Sequence, residues 1–162
     1  MHWWHGVHFA LWGRPELLER SSGWSEKAQP AARQIAKRQN RKGVRWMKMT
    51  DPSATEAPSK VGSFLIWQQP HFIYMAELMY RNNPDTSVLN KYKDLVFATA
   101  DFMADYVDYD GLEDRYVLKG AIPAQETLKA SETVNPPFEL SYWHYALSVA
   151  QKWRTRLGMQ KN

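Results

Sequence analysis

Pro70-His71-Phe72-Ile73-Tyr74-Met75-Ala76-Glu77-Leu78-Met79-Tyr80-Arg81, then Asn82-Asn83-Pro84-Asp85, then the run from Ser87 to Val107, decide the fold class. The first segment predicts a helix. Pro70 suits an N-terminus, and Ile73, Ala76, Leu78 and Tyr80 spread apolar content over nearly every side, which is the pattern of a buried helix. Asn-Asn-Pro-Asp is a turn. Asp85 or Thr86 can cap a second helix, in which Leu89, Tyr92, Val96, Phe97, Ala100 and Met103 recur at helical spacing. Lys91, Lys93, Asp94 and Asp101 occupy its other face, so it is amphipathic. Two helices joined by so short a turn lie antiparallel, and residues 70–107 read as a helical hairpin.

The pattern continues on both sides. Upstream, Val7-His8-Phe9-Ala10-Leu11-Trp12 reads as the end of a buried helix, broken by Gly13-Arg14-Pro15. Pro15 opens another helix. Ser25 can cap a further one reaching Asn40, unless a single helix continues past Gly23. Arg41 to Ser63, with Gly43, Pro52, Pro58 and Gly62, reads as an irregular loop, and loops of that length are usually functional. Downstream, Asp108 to Asn135 is a second long loop with a short strand at 115–118. Asn135-Pro136-Pro137 is a helix start, with Asn as cap and proline in the first turn, and Gly158 can end that helix. Connections therefore alternate short and long. In an antiparallel array alternate connections lie at one end, so both long loops should share a face, at the N-termini of the helices beginning near 70 and 137.

The chain has 162 residues, 44% hydrophobic and 23% charged, which fits one globular domain. Its 8 Trp, 8 Tyr and 6 Phe exceed what a core needs, because each buried indole N–H wants a partner. They line either an aromatic core or an aromatic pocket. A net charge of +4 selects no partner. Absence of cysteine excludes disulfide and thiolate chemistry and is compatible with cytosol or periplasm. No apolar run approaches the roughly 20 residues of a membrane span, so no membrane partner is expected. His2, His5 and His8 spread around a helix axis with no carboxylate at zinc-motif spacing, so no metal is expected. The basic run Lys37-Arg38-Gln39-Asn40-Arg41-Lys42-Gly43-Val44-Arg45 reads as a solvated helix end, and no nucleic-acid motif accompanies it. The alternative is a non-catalytic helical module binding an anionic polymer through that run.

Glu126, on the second long loop beside Pro123 and near several aromatics, is the candidate catalytic residue. A carboxylic acid in apolar, aromatic surroundings can protonate a leaving oxygen. The plainer reading is a solvated loop carboxylate. Trp67, Gln68, Gln69 and His71 stand at the mouth of the helix after the first loop. An indole stacks on a sugar ring, and amide and imidazole groups bind hydroxyls. Trp46 and Lys48, on the first loop, and Trp143 and Glu139, in the first turns of the last helix, complete the candidate substrate-binding set. Glu139 can alternatively complement the helix N-terminus, and His71 can be a satisfied core histidine. Asp51, Glu56 and Glu139 are the candidates for a second carboxylate.

In order along the chain, these residues resemble the six-hairpin glycosidases, and among them the family of maltose and kojibiose phosphorylases with its bacterial relatives. Trp4-His5-Gly6-Val7-His8-Phe9 resembles the opening of a central barrel helix, and Gly43-Val44-Arg45-Trp46 the loop that carries a Gly-Ala-aromatic segment beside the sugar. Trp67-Gln68-Gln69-Pro70-His71 with Ile73-Tyr74-Met75-Ala76 resembles the next inner helix. Pro123-Ala124-Gln125-Glu126 followed by Asn135-Pro136 resembles the acid loop and the helix start after it, although the family has Pro-Asp-Glu where this chain has Ala124-Gln125-Glu126. The resemblance implies an all-α fold, part of an (α/α)6 toroid, with residues 1–162 a truncated segment of a single catalytic domain. A full barrel has six hairpins, whereas about five helices are countable here. It implies a carbohydrate substrate, the remainder of the barrel in a longer chain as partner, no cofactor, and Glu126 as general acid. The family's phosphate-binding residues find no counterpart, so hydrolysis is expected rather than phosphorolysis, with an inactive fragment of such an enzyme as a further alternative.

Overall fold

The computed structural model describes residues 2–124 and 126–160, so Gln125 of the acid-loop motif lies outside the described residues. Five α-helices run in order among them: α1 His2–Leu11, α2 Pro15–Arg38, α3 His71–Asn82, α4 Thr86–Tyr106 and α5 Pro137–Arg156. A small antiparallel hairpin, β1 Asp108–Asp110 and β2 Arg115–Val117, interrupts the second long loop. The all-α reading holds at this level. None of the helices described is long and apolar enough to cross a membrane.

α3 is the centre of the molecule. It packs against α1, α2, α4 and α5, and buries Phe72, Ile73, Met75, Ala76, Leu78 and Met79. That is the outcome its all-round apolar pattern predicts. α1 and α2 form one hairpin and α3 and α4 another, and α5 lies against α3 and α4. Alternate helices also touch: α1 with α3, α3 with α5, and α2 with α4. Trp143 and Trp153 of α5 are fully buried against this core. Burying an indole removes about 150–250 Å² from water, so each contributes about 4–6 kcal/mol before side-chain entropy is subtracted. Trp153 Nε1 donates to Glu77 Oε2 at 2.7 Å, and Arg156 forks onto both Glu77 oxygens at 2.6 and 3.1 Å, tying the end of α5 to α3.

One open alternative is decided and one expectation is corrected. Of the two readings for residues 15–40 the single helix is found: Ser25 caps nothing, and α2 runs unbroken through Gly23 and Pro30. Its buried residues Leu18, Ser22, Ser25, Ala28, Ala32, Ile35 and Ala36 recur every three or four positions, while Pro30 is exposed. Packing along that stripe outweighs the propensity cost of the two breakers. Asn135 does not cap α5. Its φ is 49°, its Oδ1 accepts from Leu118 N at 2.8 Å, and its own N–H donates to Leu118 O at 2.7 Å. The side chain is thus used to clasp the loop rather than the helix. Asp85 does cap α4, accepting from Ser87 N at 2.7 Å. Gly158, at φ 71°, ends α5 in a Schellman turn, with Met159 N bonding Arg154 O at 2.8 Å and Gly158 N bonding Thr155 O at 3.1 Å.

Candidate functional site

The first long loop is seated by its own backbone. Val44 N donates to Ala98 O and Arg45 N to Ala32 O, both at 3.0 Å, which pins the loop between α4 and α2. Gly43 makes the approach possible: at φ 72°, a Cβ there would meet Ala98 O at 2.1 Å and Phe102 N at 2.6 Å. Arg45 follows and is fully buried. Its guanidinium donates to Trp46 O at 2.8 Å, to Gln69 Oε1 at 3.3 Å and to Leu65 O, and lies over the Phe102 ring. Burial lowers its pKa to about 10, so it stays cationic at neutral pH.

Gln68 and Gln69 belong to the same knot. Gln69 Oε1 accepts from Trp46 N at 2.9 Å while its Nε2 donates to Val44 O at 2.7 Å. Gln68 Nε2 donates to Trp46 O at 3.0 Å and Leu65 O at 2.9 Å. Both amides are buried; Gln69 is fully engaged and Gln68 commits its Nε2 to backbone while its Oε1 has no hydrogen-bond partner among the described residues. The loop thus consumes most of the groups that the sequence assigns to sugar hydroxyls. Trp46 is half-buried, bonded through Nε1 to Thr99 Oγ1 at 2.9 Å and stacked on Phe72. Trp143, also assigned as a platform, is a core residue whose indole donates to Ile66 O at 3.1 Å.

The two long loops meet. Ile122 N donates to Phe64 O at 3.0 Å, and Leu65 and Ile122 form a parallel bridge. Lys48 Nζ, from the first loop, pairs with Glu126 Oε1 of the second. Ala124 N donates to Glu139 Oε1 of α5 at 2.7 Å. The junction therefore lies at the N-terminal ends of α3 and α5, where the alternation of connections puts it. Glu126 is exposed and faces an ammonium rather than the apolar wall expected for it. Glu139 is 1% exposed, and burial pushes its carboxyl above the ordinary range, with backbone amides acting the other way. Asp51 is occupied in its own turn, accepting from Ser53 Oγ at 2.7 Å and Thr55 N at 2.9 Å. Glu56 takes Arg38 at 3.0 Å.

An aromatic nest stands at the same end. His71 stacks on Trp3 at 5.3 Å, meets Trp67 edge-on at 5.4 Å, and shares a 3.0 Å hydrogen bond between Nδ1 and the Tyr142 hydroxyl. Tyr74 and Tyr145 extend the cluster, and burial raises the Tyr142 phenol. Sequence reading passed over Tyr142 for its neighbour Trp143. The signal was present: Phe138, Tyr142 and Tyr145 stand at i, i+4 and i+7, one face of α5. Trp143 is turned by one position into the core.

Burial holds His71 down to about pH 3, with His2 adding to the effect. It is neutral at physiological pH and acts by hydrogen bonding. Unfolded histidine binds its proton near pH 6.5, so the folded state is favoured in full above that value and loses this contribution as pH falls toward 3. The expected loss at pH 5 is about 2 kcal/mol. Urea unfolding of the wild type and of His71→Gln at pH 7.5 and pH 5 measures it. The variant should show the shallower pH dependence, and equal slopes would remove His71 as the cause.

The basic run is largely engaged within the chain. Arg38 binds Glu56, Lys42 binds Asp105, Arg41 donates to Asp105 O at 2.5 Å and lies over Tyr106, and Arg45 is buried. Two hollows have other linings. One, of about 40 Å³, lies between α2 and the first loop, beside Trp24, Ala32 and Trp46, and has room for water rather than a sugar. The other is an open groove of about 590 Å³ near the C-terminal end of α5, along Gln151, Thr155 and Arg156. Neither is lined by Glu126 or Trp67.

No model of a known protein family matches the chain. Comparison with curated proteins gave no match either.

Proposed function

We propose that the chain is part of the catalytic domain of a six-hairpin (α/α)6 glycosidase, which cleaves a glycosidic bond by general acid catalysis with inversion and without a cofactor. The helix neighbours support the toroid. Contacts of α1 with α3, of α3 with α5 and of α2 with α4 are those of an inner and an outer ring built from successive hairpins. The exposed side of α1 supports it as well. Trp4 and Leu11 of the helix, and Trp12 just past its end, are 68%, 59% and 76% exposed, as an inner helix would be beside its next neighbour.

One observation carries the reading of the site. Glu126 lies on the loop that joins the other long loop at the N-terminal ends of α3 and α5, the end where Trp67, His71 and Tyr142 gather. In this reading the sugar displaces the Lys48 ammonium, Glu126 takes up a proton from solvent, and it passes that proton to the glycosidic oxygen as the bond to the anomeric carbon breaks. Trp67 and Tyr142 offer ring faces, and neutral His71 orients them. An inverting mechanism needs a second carboxylate about 6.5–9.5 Å from the acid to activate water. Asp51, Glu56 and Glu139 are already committed to other partners, so the base belongs to the remainder of the barrel, which also supplies the facing wall of the cleft.

Polyanion binding fares worse because Arg45 is buried, Arg41 is turned onto a backbone carbonyl, and Arg38 and Lys42 face carboxylates of the same chain. The test is to incubate the full-length polypeptide containing these residues with α- and β-linked disaccharides and follow anomeric protons by NMR. Release of a sugar with inverted configuration is expected. Absence of turnover across the panel, together with salt-dependent binding to heparin, would overturn the proposal.

A further inference from the structure

The turn that carries Glu126 is fixed at three points. At its start, Ile122 N is bonded to Phe64 O at 3.0 Å. At its end, Glu126 N closes the turn onto Pro123 O at 2.8 Å, with φ of 61° at Glu126, and its carboxylate takes Lys48. Between them, Ala124 N donates to Glu139 Oε1 at 2.7 Å. The last contact differs from the others in setting. Ala124 is exposed, so its N–H would be well served by water. Glu139, by contrast, is a carboxylate taken out of water in the first turn of α5. An acidic group is costly to bury unless hydrogen bonds compensate. Complementing the helix end does not require burial, because an exposed glutamate in a first turn does that equally well.

We infer that Glu139 is a positioning residue: its buried carboxylate holds the Pro123–Glu126 turn against α5 and thereby sets where the Glu126 carboxylate stands. This rests on the proposed glycosidase reading for its catalytic consequence, but its structural half does not. The geometry gives Glu139 no access to a substrate, since it is closed off from solvent beneath the loop it binds. Its effect passes through Ala124 to Glu126, and from there to Lys48 on the other loop.

The experiment uses Glu139→Met, which keeps the volume and relieves the burial cost, and Glu139→Gln, which keeps an acceptor oxygen for Ala124. Amide hydrogen exchange of the full chain is followed at Ala124 and Glu126, with the α4 amides as internal control. In Glu139→Met, exchange at Ala124 and Glu126 should quicken roughly tenfold or more while α4 is unchanged, and Glu139→Gln should restore protection. Unchanged protection in Glu139→Met, or equal loss in both variants, would overturn the inference whatever the protein's activity. In turnover of a disaccharide by the full-length polypeptide, Glu139→Met should lower kcat by roughly 10- to 100-fold with little change in KM, and Glu139→Gln should recover it. A loosened turn with unaltered turnover would leave the clamp in place and remove Glu126 from the chemistry, so the two failures are distinguishable.

Discussion

Glu126→Gln is expected to lower turnover of an ordinary disaccharide by about 100- to 10,000-fold, the range that a positioned general acid contributes. The same substitution should cost at most a few-fold on a dinitrophenyl glycoside, whose leaving group departs without a proton. The contrast is the diagnostic feature. Glutamine fills the same space and can still accept from Lys48 through its amide oxygen, so the junction of the two loops survives while the transferable proton is lost. A uniform loss on both substrates would indicate a binding role instead, because an interaction made equally in ground and transition states does not distinguish leaving groups. Lys48 gives a second handle on the same step. Lys48→Met should leave the aryl glycoside rate near that of the parent, because that leaving group departs without the proton that Lys48 and Glu126 manage between them. Unaltered disaccharide turnover in Glu126→Gln would end the assignment.

How far such a site could be read from sequence follows from what each residue is used for. Glu126 was legible as a loop carboxylate in a motif, but its partner was not. Lys48 lies 78 positions away on the other long loop, and the pairing depends on how both loops lie across the helix ends. Gln68 and Gln69 show the opposite difficulty. Their side chains suit hydroxyl recognition, and that chemistry is real, but backbone carbonyls and amides of an irregular buried loop compete for the same donors and acceptors. A loop without ladder partners must satisfy its polar groups with side chains. Residues flanking such a loop are therefore consumed by it first. Trp143 and Tyr142 differ by a single helical position, a rotation of about 100°, which is enough to exchange core for nest. Periodicity along α5 resolves them only once the direction of the core is known.

The helices themselves were more legible, because their evidence is repeated. The seven buried positions of α2 outweigh Gly23, which left a break open in the sequence, and Pro30, which lowers helix propensity locally. The order of short and long connections was informative for a similar reason. It constrains which ends of the helices face one another without requiring any side chain to be placed. The contacts of Phe64, Leu65 and Lys48 with Ile122 and Glu126 realise that constraint. What it leaves open is the shape between the loops, since cleft geometry depends on side chains from both and on the surfaces opposite them.

Arg45→Ala is expected to destabilise the fold by about 3–5 kcal/mol, a large part of the roughly 5–15 kcal/mol that holds a typical domain together. The size follows from the role of the guanidinium. It forms no salt bridge among the described residues, and its two terminal nitrogens are bound by neutral acceptors instead, the carbonyls of Trp46 and Leu65 and the amide oxygen of Gln69, while its Nε is buried without a hydrogen bond. Alanine removes the charge-assisted bonds to those acceptors, each of which keeps a second donor in Gln68 Nε2 or Trp46 N. The loss is therefore that of the bonds themselves, about 1.5–3 kcal/mol for one to a charged group, together with the cavity opened against Phe102. Arg45→Met separates the two terms. It fills most of the volume and removes the cost of burying a cation, so its loss should be smaller, about 1–3 kcal/mol, and arise from the missing guanidinium hydrogen bonds. Arg45→Lys keeps the charge but cannot fork between Leu65 and Gln69, and should fall between them. Guanidinium chloride unfolding of the three variants gives the order. A shift below about 1 kcal/mol for Arg45→Ala would mean that water replaces the guanidinium without cost, and that the first loop is held by Gly43 and Gln69 rather than by the buried arginine.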